Sequence, residues 1–500
     1  MNNKYYITIG LEIHAELKTN SKMFCACANN PLETQPNKNI CPVCVAHPGT
    51  LPTFNKEAIE KMIKLGLYIG SETADFTEWD RKHYFYPDLP KAYQLTQYKY
   101  PIISQGEIQN WPLERIHLEE DTAKSTHDQS QNTLINFNRA GLPLAELVTK
   151  TQTFQEIETA AKTSSDFAKE YALILKILDV SEAEMSKGQM RIEVNLSVST
   201  DKNKFGTKVE VKNINSFKSV EDAVRYEAAR HIELIEAGKI QEIVQETRGF
   251  EENKRITLSQ RKKENANDYK YFPDPDLPKL YLHSLFDLEK IKNNLPEGLA
   301  EIRNNLKKLS VTENYIEILL SDLHLFNYFQ NIQNELQKYH DFNSQKFKQL
   351  ILLAMNYICV DVITILQKEN TEKFIHLIDA EDFVEIMTML LENQLSSRGA
   401  KDLILIMMTK ILDENAADMS EQDLSAREIA ESRNLIQKND LDSLQKILAE
   451  VIGQNPKQWE DFQNGNSKLL MFFVGQCMKA SQGSGNPKIF TELIQESLKK

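Results

Sequence analysis

The chain of 500 residues carries 59 lysine and arginine residues against 72 aspartate and glutamate residues, a formal net charge of −13. This acidic balance excludes a protein coated uniformly with positive charge for nucleic-acid binding, although a single basic surface is compatible with it. Hydrophobic residues make up 41% and charged residues 26% of the chain, which is typical of a globular protein of about three domains. The densest apolar runs, 403–408 and 469–474, are too short to predict a membrane span, and no signal peptide is predicted.

The first predicted element is a strand at residues 9–17, where apolar and ionisable residues alternate. Alternation with period 2 places Leu11 and Ile13 on one sheet face and Glu12 and His14 on the other. A carboxylate and an imidazole two residues apart on one face can contact the same cation. On its own this pair fits a solvated surface as well as it fits a metal site.

Four cysteines follow within a short segment. Cys25, Cys27, Cys41 and Cys44 have the knuckle spacing that wraps a tetrahedral zinc ion. Four thiolates leave no open coordination position, so the predicted ion is structural and not catalytic. The same cysteine usage indicates a reducing compartment, the cytoplasm. The alternative interpretation is four buried free thiols.

A second ionisable cluster, HLEED at 117–121, ends another predicted strand. Carboxylate oxygens combined with one imidazole nitrogen suit Mg²⁺, which reaches a nucleotide through its phosphates. Alternation places Glu119 beside His117, and it places Glu120 on the other face unless the strand bends. Spacing alone therefore leaves open which of the two glutamates is the ligand.

Motifs for phosphate binding and covalent hydrolysis are absent from the sequence. It contains neither a P-loop nor a dinucleotide-binding glycine motif. A bound nucleotide would therefore depend on Mg²⁺ and on side chains such as Arg139, Lys208 and Lys212. No serine-nucleophile motif is present either, which argues against covalent hydrolysis by this chain.

Further elements complete a mixed front part of the chain. Amphipathic helices are predicted at 154–178 and at 220–237, the second with Ser219 as its N-cap. Strands are predicted at 191–198 and 208–212, each with one apolar and one ionisable face. Together with the first strand they predict a mainly antiparallel sheet whose second face is polar and accessible.

Glycine and proline divide the chain. Thirteen of the 16 prolines and ten of the 17 glycines precede residue 293, and residues 299–452 contain no proline and one glycine, Gly399. A segment of that length without breakers predicts a series of helices. We therefore expect an α+β front at 1–292, an all-α helical domain at 293–405 and an all-α tail at 406–500.

Eight segments in chain order resemble one family, the B-type subunit (GatB) of the bacterial-type aspartyl/glutamyl-tRNA amidotransferase. They are GLEIHAELKT (10–19), PGTLP (48–52), DRKHYFYPDLPK (80–91), HLEED (117–121), NRAG (138–141), KVEVKNINSF (208–217), QETR (245–248) and DYKYFP (268–273). The end of the chain is also similar to the family's tail, through FVGQ (473–476), MK (478–479) and GNP (485–487). The resemblance covers almost the whole chain.

The resemblance implies a catalytic cradle domain, a helical domain and a YqeY-like tail that binds tRNA. It also implies a reaction carried out by a heterotrimer. An amidase partner releases ammonia from glutamine or asparagine, and a small third subunit ties the amidase to the B-type subunit. The B-type subunit uses ATP to phosphorylate the side-chain carboxylate of Glu-tRNA(Gln) or Asp-tRNA(Asn). Ammonia channelled from the amidase then displaces the phosphate.

Site residues follow from the resemblance position by position. It implies Glu12, His14 and Glu120 as Mg²⁺ ligands and places Lys82 and Tyr84 close to that ion. Further matched residues on the polar face are implied to bind the nucleotide or tRNA. They are Asn138, Arg139, Asn195, Lys208, Glu210 and Lys212.

The sequence departs from the family at several points. Asn136 and Glu193 stand where aspartate is usual, and the loop at 483–486 lacks the usual lysine. These departures do not affect the implied Mg²⁺ ligands. An alternative interpretation is a zinc-stabilised scaffold that binds tRNA without kinase-like activity, and the intact set of Mg²⁺ ligands argues against it. Which misacylated tRNA is the substrate is not encoded in these motifs.

Overall fold

The structure is a computed structural model that describes residues 4–127, 132–262, 269–368, 378–412, 424–437, 440–481 and 485–498. It divides into two compact units, Met1–Gly298 and Leu299–Lys500. Part of the DYKYFP segment (residue 268) and part of the tail loop (residues 483 and 484) lie outside the described residues.

The first unit is built around a large sheet. The strands of this unit are β1 (Tyr6–Glu16), β2 (Glu72–Thr73), β3 (Phe76–Thr77), β4 (Asp80–His83), β5 (Tyr93–Thr96), β6 (Ile103–Ser104), β7 (Glu107–Ile108), β8 (Trp111–Glu120), β9 (Lys124–His127), β10 (Thr133–Asn136), β11 (Pro143–Thr149), β12 (Gln152–Phe154), β13 (Met190–Ser199), β14 (Val209–Ile214), β15 (Glu246–Glu251), β16 (Ile256–Lys262), β17 (Phe272–Pro273) and β18 (Leu280–Tyr281). Strands β9 and β10, and strands β3 and β18, form two separate two-stranded sheets. The main sheet runs in the order β16-β15-β14-β13-β1-β11-β8-β5-β4-β17. Its pairings are antiparallel except for β14 and β15, which are parallel.

The predicted alternation is present in β1, β13 and β14. In β1, Leu11, Ile13 and Ala15 are at most 1% exposed. In β13 and β14, Val194 and Val211 are fully buried on the same apolar side. The mainly antiparallel sheet with one buried face is therefore confirmed, and burying this continuous apolar face is what stabilises it.

Helices cover the apolar face and connect the strands. They are α1 (Lys56–Tyr68), α2 (Ile157–Ile177), α3 (Phe217–Glu236), α4 (Leu282–Leu285) and α5 (Leu288–Asn293). The predicted N-cap of α3, Ser219, is wrong, because the helix begins three residues earlier than predicted. The side chain of Ser216 accepts a hydrogen bond from the backbone N–H of Ser219, so Ser216 is the cap. Ser219 is instead buried in the first turn, where its Oγ contacts that of Ser216 at 2.7 Å.

The second unit is helical throughout its described residues. Its helices are α6 (Leu299–Lys308), α7 (Glu313–Ser321), α8 (Leu323–Tyr339), α9 (Gln345–Asn356), α10 (Ile363–Lys368), α11 (Ala380–Leu391), α12 (Ser397–Leu412), α13 (Ala426–Ser432), α14 (Leu441–Gln454), α15 (Pro456–Gln463), α16 (Leu469–Ala480) and α17 (Pro487–Ser497). Helices α14 to α17 share a separate hydrophobic core around Phe462, Phe473 and Phe490. An α+β front followed by an all-α rear confirms the predicted fold class.

One predicted domain boundary falls within a helix. Helix α12 runs through residue 405, where the sequence pattern divides the helical rear in two. The described rear belongs to a single compact unit that begins at Leu299. The division into two helical domains therefore stays a prediction.

Helices α9 and α10 join through a π-helical turn (Tyr357–Val362) into one run, Gln345–Lys368. This run is long and apolar enough to cross a membrane by length and composition, and half of its most apolar window is buried inside the protein. A buried core helix of a globular protein has the same character. The run is not apparent in the sequence because polar residues such as Asn356 and Asp361 divide it into short apolar pieces.

Candidate active site on the polar sheet face

The register of three central strands arranges ionisable side chains in rows on one sheet face, which we call the polar face. His14 of β1 lies opposite Glu146 of β11, which in turn lies opposite His117 of β8. In the next row, Glu12 lies opposite Val148, which lies opposite Arg115. Directly opposed residues share a sheet face, so each row forms a line of neighbouring side chains across the three strands.

Glu146 is the centre of the first row. Its Oε2 atom lies 3.2 Å from Nε2 of His117 and 3.6 Å from Nε2 of His14. This oxygen is buried and accepts no hydrogen bond of good geometry from a described residue. Burial alone would raise the pKa of Glu146, but the two imidazoles outweigh it and hold the pKa well below its usual range.

His14, Glu119 and Glu146 bring one ligand atom each within 4.8 Å of one another, as a shared cation would require. Burial alone would lower the pKa of His14, but the carboxylates of Glu146, Glu193 and Glu119 raise it to about 9. Once His14 loses its proton, its imidazole and the carboxylates of Glu119 and Glu146 form a donor set that fits a hard divalent cation, so a bound cation would replace the proton that these carboxylates stabilise on His14.

Lys82 contacts this cluster directly, and Tyr84 reaches it through Gln94. The Nζ atom of Lys82 lies 3.4 Å from Oε2 of Glu119. Burial opposes the charge of Lys82, but Glu119 and Glu146 outweigh it and raise the pKa of the ammonium group. The hydroxyl of Tyr84 donates a hydrogen bond to Oε1 of Gln94, and Nε2 of Gln94 lies 3.3 Å from Oε1 of Glu119.

Glu12 belongs to a neighbouring cluster. Its Oε1 accepts a hydrogen bond of 2.9 Å from Nδ2 of Asn195, and its carboxylate lies close to those of Glu193 and Glu210. Lys212 offsets part of this negative charge, with Nζ 2.9 Å from Oε2 of Glu193. Three of the implied nucleotide-binding residues therefore surround Glu12. They are Asn195, Glu210 and Lys212.

Glu120 lies on the other side of β8. Its Oε1 accepts a hydrogen bond of 2.9 Å from the backbone N–H of Leu95 and pairs with the ammonium group of Lys91. Burial raises the pKa of this carboxyl although Lys91 opposes the shift. Glu120 thus points to a small enclosed cavity lined by Phe24, Lys91 and the cysteine segment. Of the three ligands implied by the resemblance, Glu12 and His14 therefore lie in adjacent rows of the polar face, and Glu120 lies on the other side of β8.

Arg139 is fixed by two carboxylates. Its Nη2 and Nε atoms lie 2.6 and 3.1 Å from Oδ2 of Asp121, and Glu16 pairs with the same guanidinium. Arg191 adds a bond of 2.8 Å to Oδ2 of Asp121. Burial raises the pKa of Glu16 to about 7, while the two arginines hold the pKa of Asp121 below its usual value despite its burial.

Lys208, another residue that the resemblance implies at the site, is exposed and has no partner among the described residues.

The four predicted zinc ligands do come together. The Sγ atom of Cys44 lies 3.5 Å from that of Cys25 and 3.7 Å from those of Cys27 and Cys41. Zinc–sulfur bonds of about 2.3 Å in a tetrahedron place the sulfurs roughly 3.8 Å apart, so the cluster fits zinc. Lys22, fully buried, directs its Nζ to Sγ of Cys44 at 3.5 Å. A hydrogen bond from Cys25 lowers the pKa of Cys44 despite its burial, and the charge of Lys22 favours the thiolate further.

A network of amide groups ties the cysteine loop to the segment before Arg139. The Oδ1 atom of Asn37 accepts a hydrogen bond of 2.7 Å from the backbone N–H of Phe137, and the backbone N–H of Asn37 donates to Oδ1 of Asn136 at 3.2 Å. The buried Asn138 accepts a bond of 3.0 Å from the backbone N–H of Asn39. Asn138 is therefore a structural link in this arrangement, and Asn136 serves as an acceptor, a role that needs no acid.

Glu146, the residue at the centre of the cluster, is not among the residues predicted from the sequence. It is the one charged residue of β11, in PLAELVT, which is otherwise made of apolar and hydroxyl residues. A lone carboxylate in a buried strand is a signal in itself, because an unpaired buried charge is costly. Spacing also left Glu119 and Glu120 as alternatives, and the regular register of β8 places Glu119 on the polar face.

Comparisons with known proteins cover both units. Residues 7–286 match the family described as the GatB/GatE catalytic domain, and residues 344–498 match the family described as the GatB domain. Proteins named as the B-type subunit of aspartyl/glutamyl-tRNA(Asn/Gln) amidotransferase are similar over essentially the full length of both chains. The one from Caldicellulosiruptor saccharolyticus is 37% identical over 99% of this chain and 100% of its own length. Those from Finegoldia magna and Clostridium beijerinckii are each 35% identical over 98% of this chain, and 99% and 98% of their own lengths are covered.

The family match includes more than half of the chain, and identity exceeds one third over nearly all of it. The predicted family is therefore confirmed. The chain belongs to the B-type subunit family of the aspartyl/glutamyl-tRNA(Asn/Gln) amidotransferases.

Proposed function

We propose that this chain is the amidating subunit of a glutamine-hydrolysing, ATP-dependent tRNA amidotransferase. It acts in the cytoplasm as part of a heterotrimer with an amidase and a small connecting subunit. Its substrates are Glu-tRNA(Gln), Asp-tRNA(Asn) or both, and its products are the correctly charged Gln-tRNA(Gln) and Asn-tRNA(Asn). The family membership supports the reaction class, and the polar face supports the chemistry.

The observation that carries the proposal is the cluster of His14, Glu119 and Glu146. Two carboxylates and one imidazole converge from three strands that come together from distant parts of the chain. Glu146 contributes a buried oxygen that lies between the Nε2 atoms of His14 and His117 and accepts no hydrogen bond of good geometry from a described residue. These residues would hold Mg²⁺. The ion, when bound, supplies charge neutralisation for phosphoryl transfer from ATP.

The reaction needs little from the chain beyond positioning. A side-chain carboxylate oxygen of the aminoacyl group attacks the γ-phosphorus of ATP, and ADP leaves. Ammonia supplied by the amidase then adds to the acyl carbon, and inorganic phosphate leaves as the amide forms. Lys82, beside Glu119, provides a fixed positive charge next to the transferred group, so no nucleophilic serine or cysteine is required.

The remaining implied residues surround this centre at different distances. Asn195, Glu210 and Lys212 gather around Glu12 one row away, which supports a role on the nucleotide side of the site. Arg139 is fixed by Asp121 at the other end of the polar face. Tyr84 lies among the aromatic rings of Tyr86 and Tyr269 at its rim.

The cysteine cluster would hold a structural zinc ion, and the tail would contact the tRNA backbone. Residues 465–500 carry five lysines against Glu492 and Glu496, a local balance of +3 in an acidic chain. Counter-ion release upon neutralising phosphates favours binding by such a surface.

The direct test is to co-purify the chain with the amidase and the small subunit, then to assay both misacylated tRNAs. We expect amidation that requires ATP, Mg²⁺ and glutamine. A complex that binds tRNA but amidates neither substrate would support the alternative, a zinc-stabilised scaffold without kinase-like activity. Comparing Glu-tRNA(Gln) with Asp-tRNA(Asn) in the same assay also identifies the substrate.

A further inference from the structure

Arg115 lies on the polar face without an ion-pair partner among the described residues. It is in the row next to the His14–Glu146–His117 row, on the same side of β8 as His117. Residues two apart on a strand are about 6.7 Å apart, so Arg115 flanks the candidate cation site. Across the strands, half-buried Val148 separates Arg115 from Glu12 and leaves an apolar floor between the two charges.

The two cations of the nearby strand β4 are each paired with a carboxylate. Lys82 pairs with Glu119, and Arg81 pairs with Asp274, whose Oδ2 lies 2.6 Å from its Nε. Arg115 differs from them, since its buried Nε atom donates no hydrogen bond to a described residue. An uncompensated guanidinium with a buried donor is costly unless an anion completes it.

Arg115 makes a cation–π contact that uses none of its hydrogen-bond donors. Its Cζ atom lies 5.7 Å from the ring centroid of Tyr98. Tyr98 stacks on Tyr271 with centroids 4.0 Å apart and an interplanar angle of 8°. A cation–π contact favours a guanidinium position over the ring and leaves the N–H groups available. Bidentate recognition of a phosphate group requires this combination of fixed orientation and unused donors.

We propose that Arg115 binds a phosphate group of a reactant at the polar face. The inference rests on the proposed function, which brings two phosphate-bearing molecules to this site. One source is the triphosphate of ATP, and the other is a backbone phosphate near the aminoacylated end of tRNA. Both present the same chemistry to a guanidinium, and steady-state kinetics separates them.

The test uses the assembled heterotrimer and the substitutions Arg115→Met and Arg115→Lys. We expect kcat/KM to fall roughly ten- to hundredfold in Arg115→Met for the substrate whose phosphate is bound. A fall confined to ATP identifies the nucleotide, and one confined to aminoacyl-tRNA identifies the tRNA backbone. Arg115→Lys should recover part of the loss, because lysine keeps the charge but not the planar pair of donors.

Glu114→Gln is the matched control, since Glu114 is the exposed charged neighbour of Arg115 in the same strand. If Arg115→Met fails to fold, as judged by its melting temperature, Arg115→Lys decides the question alone. Values of kcat/KM within about twofold of the unsubstituted complex for both substrates would overturn the assignment of Arg115. Absence of ATP-dependent amidation in the unsubstituted complex would instead overturn the proposed function, and this assignment with it.

Discussion

His14 and Glu146 face each other directly across β1 and β11, with Nε2 of the histidine 3.6 Å from Oε2 of the glutamate. If this pair holds Mg²⁺, Glu146→Gln removes an anionic ligand and leaves a neutral amide in a buried position. We expect amidation to fall at least tenfold and the Mg²⁺ concentration for half-maximal activity to rise. A Mg²⁺ titration of ATP-dependent amidation measures both.

Glu120→Gln separates the geometric assignment from the one that the resemblance implies. Because Glu120 contacts Lys91 and Leu95 on the other side of β8, its loss should leave the Mg²⁺ requirement close to that of the unsubstituted complex. Breaking the buried ion pair also perturbs the fold and can lower the amidation rate by itself. The deciding quantity is therefore the midpoint, the Mg²⁺ concentration that gives half-maximal activity. A midpoint that shifts in Glu120→Gln and not in Glu146→Gln would show that Glu120 is the ligand.

Replacing Cys41 and Cys44 with serine should remove one zinc ion per chain, because the remaining two sulfurs cannot close a tetrahedral site. Elemental analysis of the purified protein measures the metal directly. Cys359→Ala, which removes a buried thiol in the helical unit, is the control and should leave the zinc content unchanged. Unchanged zinc in the double variant would contradict the assignment.

Glu227 should make stability depend on pH in the acid range. It is fully buried, and Nε2 of His231 and Oγ1 of Thr257 lie 3.1 and 2.6 Å from its carboxylate oxygens. Burial opposes ionisation, but His231, Arg230 and Thr257 outweigh it and lower the pKa of Glu227 to about 2.

A carboxyl group whose pKa is lower in the folded chain than in the unfolded chain stabilises the fold at every pH above its pKa in the unfolded chain. This stabilisation is lost as the pH falls towards 2, the pKa in the folded chain. The contribution is on the order of 3 kcal/mol. Denaturant unfolding of Glu227→Gln should therefore show a weaker loss of stability than the parent chain as the pH falls from neutral to about 2. The control is Glu233→Gln, at an exposed position of the same helix, whose stability should change with pH as the parent's does. Identical pH profiles for the parent chain, Glu227→Gln and Glu233→Gln would refute the contribution of Glu227.

Deleting residues 441–500 removes helices α14 to α17 together with their shared core and cuts no helix. We expect affinity for tRNA to fall while ATP hydrolysis continues, because the polar face lies in the other unit. Filter binding at two salt concentrations measures the first quantity. Lys479→Gln with Lys488→Gln tests the charge without the deletion, and undiminished tRNA affinity in both variants would exclude the tail as a binding surface.

Much of the fold could be predicted because its signals are local. Alternation in β1 and β13 marks their buried faces, and the absence of proline from 299 to 452 marks the helical rear. The cysteine cluster was equally accessible, since spacing along a short segment determines which sulfurs can meet. In each case neighbours in sequence are also neighbours in space.

The cluster of His14, Glu119 and Glu146 could not be predicted in the same way. It depends on the register of β1 against β11 and of β11 against β8, which pairs residue 14 with 146 and 146 with 117. A shift of one residue in either pairing would move every side chain to the opposite face. Spacing offered Glu119 and Glu120 as alternatives and the resemblance implied Glu120, while the pairing of β8 with β11 places Glu119 on the polar face and Glu120 on the other.

The cysteine cluster also differs from the sheet in when it can form during synthesis. All four thiols lie within residues 25–44, whereas β1 gains its partners only with β11 and β13, up to residue 199. Contacts between near residues close quickly, while pairing across long loops is slow. A nascent chain can therefore capture a metal ion long before its central strand is paired, and the loop then offers Asn37 and Asn39 as a preformed partner when residues 135–138 emerge.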